Sequence, residues 1–239
     1  MKAILLRVGI DKGCGSALAP IFEDGSFEYI HIPESDPATK EKRTYINTRG
    51  RKSRLLSDFL PEKIHHQWMH FDPEFKTFTY GDPTSKRKSL LKLVENDLLV
   101  FYAGLTPYQN NKFPNALYII GYFTVKDVID FNELSDEEIL RFSNLYSNNA
   151  HIKRNIEVEN LVIVSGDKSR SKLFDKAILI SKPKLNKIGR PYHVVSPEIE
   201  ELLGIKGSIQ RSIPPRFIEE SRCLKNLHEL IGHNGNLNS

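Results

Sequence analysis

Apolar positions in this chain fall into two kinds of run, and each predicts a different element. Residues 3–8, 98–105, 116–125 and 160–165 are largely apolar stretches, and they predict buried strands. Residues 19–22 and 27–32 flank Glu23-Asp24-Gly25-Ser26, and Asp-Gly favours tight turns, so a hairpin is expected there, stopped by Pro33. Helical spacing recurs in 84–95, where Leu90, Leu91 and Val94 follow Pro83, and again in 171–180 and 216–230. A short helix is expected over 61–67. Ser135 with Glu138 three residues later forms a capping box and predicts a helix running to about Ser147. Ser196-Pro197 opens a further short helix closed by Gly204, and residues 182–189 read as a basic linker.

The runs at 98–105 and 116–125 are joined by a polar loop and should pair as neighbours. Strands and helices mix without a regular βαβ rhythm. The expected fold is therefore α+β, a mixed sheet or partly open barrel with surrounding helices. A chain of 239 residues with 39% hydrophobic content supports one domain over 1–231, followed by a flexible tail at 232–239. No run reaches the roughly 20 apolar residues that cross a bilayer. Arg7 interrupts the first run too early for a signal peptide, so a cytoplasmic protein with no membrane partner is expected. Cys14 and Cys223 are far apart and predict free thiols rather than a disulfide framework or zinc ribbon.

Charge changes the picture locally. Net charge is only +4, but residues 40–54 carry seven cations against Glu41 alone. Such a density concentrates positive potential, and Arg49, Arg51, Lys52 and Arg54 are the expected phosphate-facing group. At the exit of the first strand, Arg7-Val8-Gly9-Ile10-Asp11-Lys12-Gly13-Cys14-Gly15 combines cations with glycines. Its backbone N–H groups can cradle an anion while Arg7 or Lys12 neutralises it, although the spacing is neither a P-loop nor a dinucleotide fingerprint. Trp68 to Pro73 and Thr79 to Asp82 gather His70, Asp72, Asp82 and several aromatics around turns, which suits a base-stacking pocket with an acid/base pair at its rim. His66 and His70 are four apart with Asp72 nearby. A metal site there is weighed and set aside, since such clusters commonly belong to polar surface, and no metal is predicted. His151 with Arg154, and Gln210 with Arg211, are further candidates to hold phosphate or a base edge.

The strand pair at 98–105 and 116–125 resembles the barrel strands of PUA-like and EVE-like domains, which bind modified or flipped bases. Over most of the chain the order of segments resembles the third family of nucleotide-modification-associated domains: R-V-G-I-D-K-G-C-G, H-F-D-P-E-F with T-Y-G-D-P, D-L-L-V-F-Y-A-G-L with I-I-G-Y-F, N-A-H, and I-Q-R-S-I-P-P-R. The resemblance implies a setting in base modification and singles out Arg7, Asp11, His70, Asp72, Tyr80, Asp82, Tyr102, His151 and Arg211. It names no cofactor and no reaction.

Two functions follow. The first is an enzyme-like domain acting on a nucleotide or on a base in nucleic acid: His70 with Asp72 or Asp82 moves protons, Asp11 orients Arg7, Tyr80 or Tyr102 stacks the base, and the cations hold phosphate. The second is a non-catalytic PUA-like reader of a modified base in DNA or RNA that recruits a base-modifying partner enzyme. Alanine at His70 separates them, because it removes turnover in the first case and alters only affinity in the second.

Overall fold

A computed structural model describes residues 1–154 and 160–233. The strands are β1 (Ala3–Arg7), β2 (Ala19–Ile21), β3 (Ile32–Pro33), β4 (Met69–His70), β5 (Thr79–Asp82), β6 (Leu98–Pro107), β7 (Ala116–Asp130), β8 (Val162–Gly166), β9 (Lys172–Leu179), β10 (Ser181–Leu185), β11 (Pro191–Val195) and β12 (Arg216–Ile218). The helices are α1 (Arg87–Leu90), α2 (Asp136–Leu145), α3 (Ala150–Lys153), α4 (Pro197–Leu203) and α5 (Ser221–His233). The fold is α+β. Its main sheet is mixed, open and eight-stranded, in the order β12-β1-β6-β7-β8-β5, with β2 added to β6 and β9 added to β7.

The continuous apolar runs form the middle of this sheet. Residues 98–105 of β6 and 116–121 of the fifteen-residue β7 are buried, because strands covered on both faces have no solvent side for polar residues. Phe75, Phe101 and Phe123 pack edge to face against one another at 4.7–5.7 Å, and Phe78 adds a fourth ring against Phe75 and Phe123. β6 and β7 are antiparallel neighbours as expected, and β1 lies parallel to β6 with Arg7 opposite Tyr102. The parallel pairing has a positional consequence: the chain leaves β1 and reaches the end of β6 on the same side of the sheet.

Several expected elements hold. Ser135 and Glu138 form the capping box of α2, and Ser196 caps α4, which Gly204 ends at φ +70°. The tight turn at Asp24-Gly25 is present, with Gly25 at φ +83°. Beyond it the hairpin is a single bridge, Ile21 to Phe27, while β3 pairs instead with β4.

Other elements differ. Within 171–180 the chain forms β9 (Lys172–Leu179), not a helix: Phe174 and Ile178, four apart, mimic a helical stripe, but the open edge of β7 offers hydrogen-bonding partners that a helix would leave unused. A register shift beside Gly121 reconciles the spacing, and a side chain at Gly121 would collide with the carbonyl of Lys172. The basic linker is the two-stranded ribbon β10–β11, with Asn186 accepting from the N–H groups of Ile188 and Arg190 at its turn. Exposed on both faces over residues 182–190, it lacks the alternation that marks a strand. In 84–95 only α1 is helical, and Leu91 and Val94 are exposed while Leu90 and Leu93 are buried. Residues 61–67 contain one 3-10 turn, Glu62–Ile64. The C-terminal helix begins at Ser221 because residues 216–218 pair with β1 as β12. That helix reaches His233, the second residue of the expected tail, and the rest of that stretch, residues 234–239, lies outside the described residues.

Candidate functional site

The shared end of β1 and β6 opens into a cleft of about 680 Å³, a size suited to a nucleotide-sized ligand. Its walls are the loop after β1, Gly104 of β6, the start of β7, the ribbon β10–β11 and the loop at residues 210–212. Arg7, Asp11, Lys12, Gln210 and Arg211, drawn from the two ends of the chain, all line it. Gly104 lets them meet, since a Cβ there would come within 2.8 Å of Leu18 and 3.4 Å of the Arg7 guanidinium.

Asp11 organises the cleft. Its Oδ1 accepts from the N–H groups of Gly13 and Cys14 at 2.9 and 2.8 Å, folding the glycine loop on itself. Its Oδ2 accepts from Arg211 Nε at 2.7 Å and lies 3.6 Å from Arg7 Nη2. Arg211 also donates to the carbonyl of Gly9. Burial pushes the Asp11 carboxyl up, but the Arg211 contact, the Cys14 N–H and the Arg7 charge together hold it below its usual value. Asp11 is thus an ionised anchor for two guanidiniums. One carboxylate against two guanidiniums and Lys12, which has no ion-pair partner among the described residues, leaves a net positive cleft. Arg7 Nε is buried without a hydrogen-bond partner among the described residues. Burial depresses the Arg7 pKa, more than Asp11 can restore.

Tyr102, expected as a base stacker, is 4% exposed, and its hydroxyl donates to the carbonyl of Ile209 at 3.0 Å. It ties β6 to the loop that carries Gln210 and Arg211. His193 of β11 also lines the cleft, with its imidazole lowered by burial and then by Arg7. It lay in a polar ribbon that carries no motif, so no sequence signal marked it.

A second group assembles at β3, β4, β5 and α3. β3 is its link to the cleft: a Cβ on Gly15 would touch Pro33 at 3.4 Å, and Ile32 pairs with His70. His70 Nδ1 lies 2.8 Å from Glu34, and Arg154 grips the same carboxylate at 2.7 and 3.1 Å. Glu34, which the sequence did not single out, is thereby held well below the usual carboxylate range: burial raises it, but the hydrogen bonds from His70, Arg154 and the Asp36 N–H win. Burial lowers the His70 pKa, against the Glu34 contact, which raises it.

Asp72 Oδ1 accepts from the Gly81 N–H at 2.7 Å and from Asn149 at 3.0 Å, while its Oδ2 lies 3.6 Å from His151 Nε2. Asn149 is fully buried, and its carbonyl caps the turn that carries His151. A Cβ on Gly81 would come within 2.9 Å of His151, so glycine is needed for the histidine to stand there. The rings of His70 and His151 meet edge to face at 4.7 Å. His66, weighed with His70 as a ligand pair, is exposed and outside this group.

The remaining candidates have other partners. Asp82 accepts from the backbone and hydroxyl of Thr84, and Tyr80, 3% exposed, packs on Phe101 and contacts Asp82. Arg49 donates to Ser53, Arg51 to Phe174 and Asp175, Lys52 to Asp24, and Arg54 to Asp58 and Tyr108. Beneath them the N–H groups of Arg51 and Lys52 bind the buried Glu28 carboxylate at 2.7 and 2.8 Å.

The family model described as nucleotide modification associated domain 3 matches residues 2–200, and the chain belongs to that family. No curated protein and no solved structure matches it. Among the described residues no helix is long and apolar enough to cross a membrane.

Proposed function

We propose that this member of the third nucleotide-modification-associated family holds one nucleotide unit of a polynucleotide in the cleft between β1, β6 and the β10–β11 ribbon. The convergence of Arg7, Lys12, Gln210 and Arg211 around Asp11 carries the proposal. Guanidiniums suit phosphate oxygens, and Gln210 adds a donor and an acceptor for a base edge. Arg7, whose Nε is buried without a hydrogen-bond partner among the described residues, shares the Asp11 carboxylate with Arg211 and so keeps charge for an anion.

A polymer is favoured over a free nucleotide by the ribbon. Lys184, Lys187 and Arg190 have no side-chain partners among the described residues, while Leu185 and Ile188 near the tip are 64% and 71% exposed. A basic ribbon with apolar side chains at its end fits a nucleic-acid backbone with an unstacked or loosened base step. The cations track phosphates and the cleft receives the unit. In this reading the protein serves base modification in the cytoplasm, as an enzyme or as a reader for a partner enzyme. The enzyme form is favoured by the convergence of His70, Asp72 and His151, whose ligand atoms lie within 4.8 Å of one another.

Titration with single-stranded and duplex oligonucleotides and with nucleoside monophosphates, for the wild type and Arg211→Gln, tests the proposal. Affinity for oligonucleotides at low salt that falls tenfold or more in the variant, with unchanged circular dichroism, is expected. No binding of any polynucleotide overturns it. If the bound oligonucleotide is chemically altered, His70→Ala should abolish that turnover and leave affinity within about threefold.

A further inference from the structure

We propose that His70, Asp72 and His151 form a binding site for a divalent transition-metal ion. The proposal is independent of the cleft. Each of the three side chains offers one ligand atom, and these atoms lie within 4.8 Å of one another. Donors on a tetrahedral ion with bonds of about 2.0–2.1 Å stand roughly 3.3 Å apart, so Asp72 Oδ2 and His151 Nε2 at 3.6 Å are almost in place.

The surroundings are those of a metal centre rather than of a chance polar contact. Glu34 accepts from His70 Nδ1, leaving Nε2 as the nitrogen His70 can offer, and such a carboxylate behind a histidine fixes the ring and its tautomer. Arg154 sits on the Nδ1 side of His70, paired with Glu34. Asp72 turns only Oδ2 towards the histidines, since Gly81 and Asn149 hold Oδ1. Asn149 therefore positions two of the three ligands, Asp72 by its amide and His151 by capping the α3 turn. Two imidazoles and one carboxylate suit zinc, iron(II) or manganese(II) better than calcium or magnesium, which favour oxygen ligands. Three protein ligands leave coordination positions open for water or a ligand.

The test uses the full chain, stripped with a chelator and titrated with cobalt(II), then challenged with zinc(II) and, anaerobically, with iron(II). One equivalent of cobalt with visible ligand-field bands, displaced by one of the other two ions, and a higher melting temperature on loading are expected. His151→Ala and Asp72→Asn should each lose the stoichiometric site, and Glu34→Gln should weaken it by about 10–100-fold while keeping one equivalent. His65→Ala with His66→Ala should change nothing. Melting curves of the stripped variants show that each is folded. The proposal is overturned if cobalt uptake is unchanged in both His151→Ala and Asp72→Asn, or if no uptake exceeds that of the double variant lacking His70 and His151. Arg211→Gln, which weakens oligonucleotide binding in the cleft, should leave metal uptake intact, so failure of either proposal is recognised separately.

Discussion

Two basic regions of this protein carry similar charge and stand in opposite electrostatic situations. Residues 40–54 are the denser in cations, yet Arg49, Arg51, Lys52 and Arg54 all have partners, and the segment closes over the carboxylate of Glu28. The β10–β11 ribbon is less conspicuous in sequence, but Lys184, Lys187 and Arg190 beside the cleft have no side-chain partners among the described residues. Charge density along a chain is therefore a poor guide to charge on offer. A cation matched to its own acceptor gains little from phosphate, whereas unpaired cations, or two guanidiniums sharing the one Asp11 carboxylate, keep charge for an anion and release counterions when it binds.

The largest effect should come from the ribbon. Neutralising Lys184, Lys187 and Arg190 to glutamine should weaken oligonucleotide binding roughly 10–100-fold at low salt and flatten the logarithmic salt dependence by about 0.7–0.9 per lost phosphate contact. An unchanged slope in a filter-binding or anisotropy series would break the comparison. The quadruple change of Arg49, Arg51, Lys52 and Arg54 to glutamine should instead act on stability. Half-exposed pairs contribute at most about 1 kcal/mol each, so a fall of a few degrees in melting temperature is expected, with the salt slope within error of wild type. Reversal of these two outcomes would move the interface to 40–54.

The smallest effect sharpens the structural role of that segment through pH. Glu41 bridges Arg43 and Lys153 at 2.6 and 2.7 Å and so ties the segment to α3. Burial raises its carboxyl, but the two cations and the Arg43 N–H bring it down to about 2 from 4.5. A depressed folded pKa contributes stability above the unfolded value that is lost as pH falls through the folded one. The melting-temperature advantage of wild type over Glu41→Gln should accordingly be full at pH 6–7, shrink below about 4.5 and be nearly gone at pH 2. A constant difference across that range would show that the bridge contributes nothing.

The candidate groups were partly legible in the sequence. Arg7, Asp11, Lys12, Gln210 and Arg211 stood out as polar residues beside glycines or turns, and they meet in one cleft. His70, Asp72, His151 and Arg154 stood out likewise and meet in another group. Glu34 and His193 did not, because nothing in their local sequence distinguishes them from surface residues. Tyr80 and Tyr102 looked suited to stacking, but aromatic residues on buried strands serve the core first, and both rings pack inside. The sequence weighed His66 with His70 and Asp72 as a ligand set; the chain does not adopt the helical spacing that would align His66, and the structure instead brings His151, 81 positions from His70, to that group.

The sequence by itself determined the central strands β1, β6 and β7, the capped starts of α2 and α4, and the glycine loop after β1. Those features rest on local chemistry: continuous apolar runs, a side chain reaching its own helix N–H, and glycine where the backbone must turn sharply. Tertiary structure alone decided that 171–180 is a strand, that 182–189 is half of a ribbon, which cations are paired and which carboxylate meets which histidine. Each of these depends on partners brought together from distant positions, and the free energy of an edge hydrogen bond or an ion pair exists only once the sheet has placed both groups.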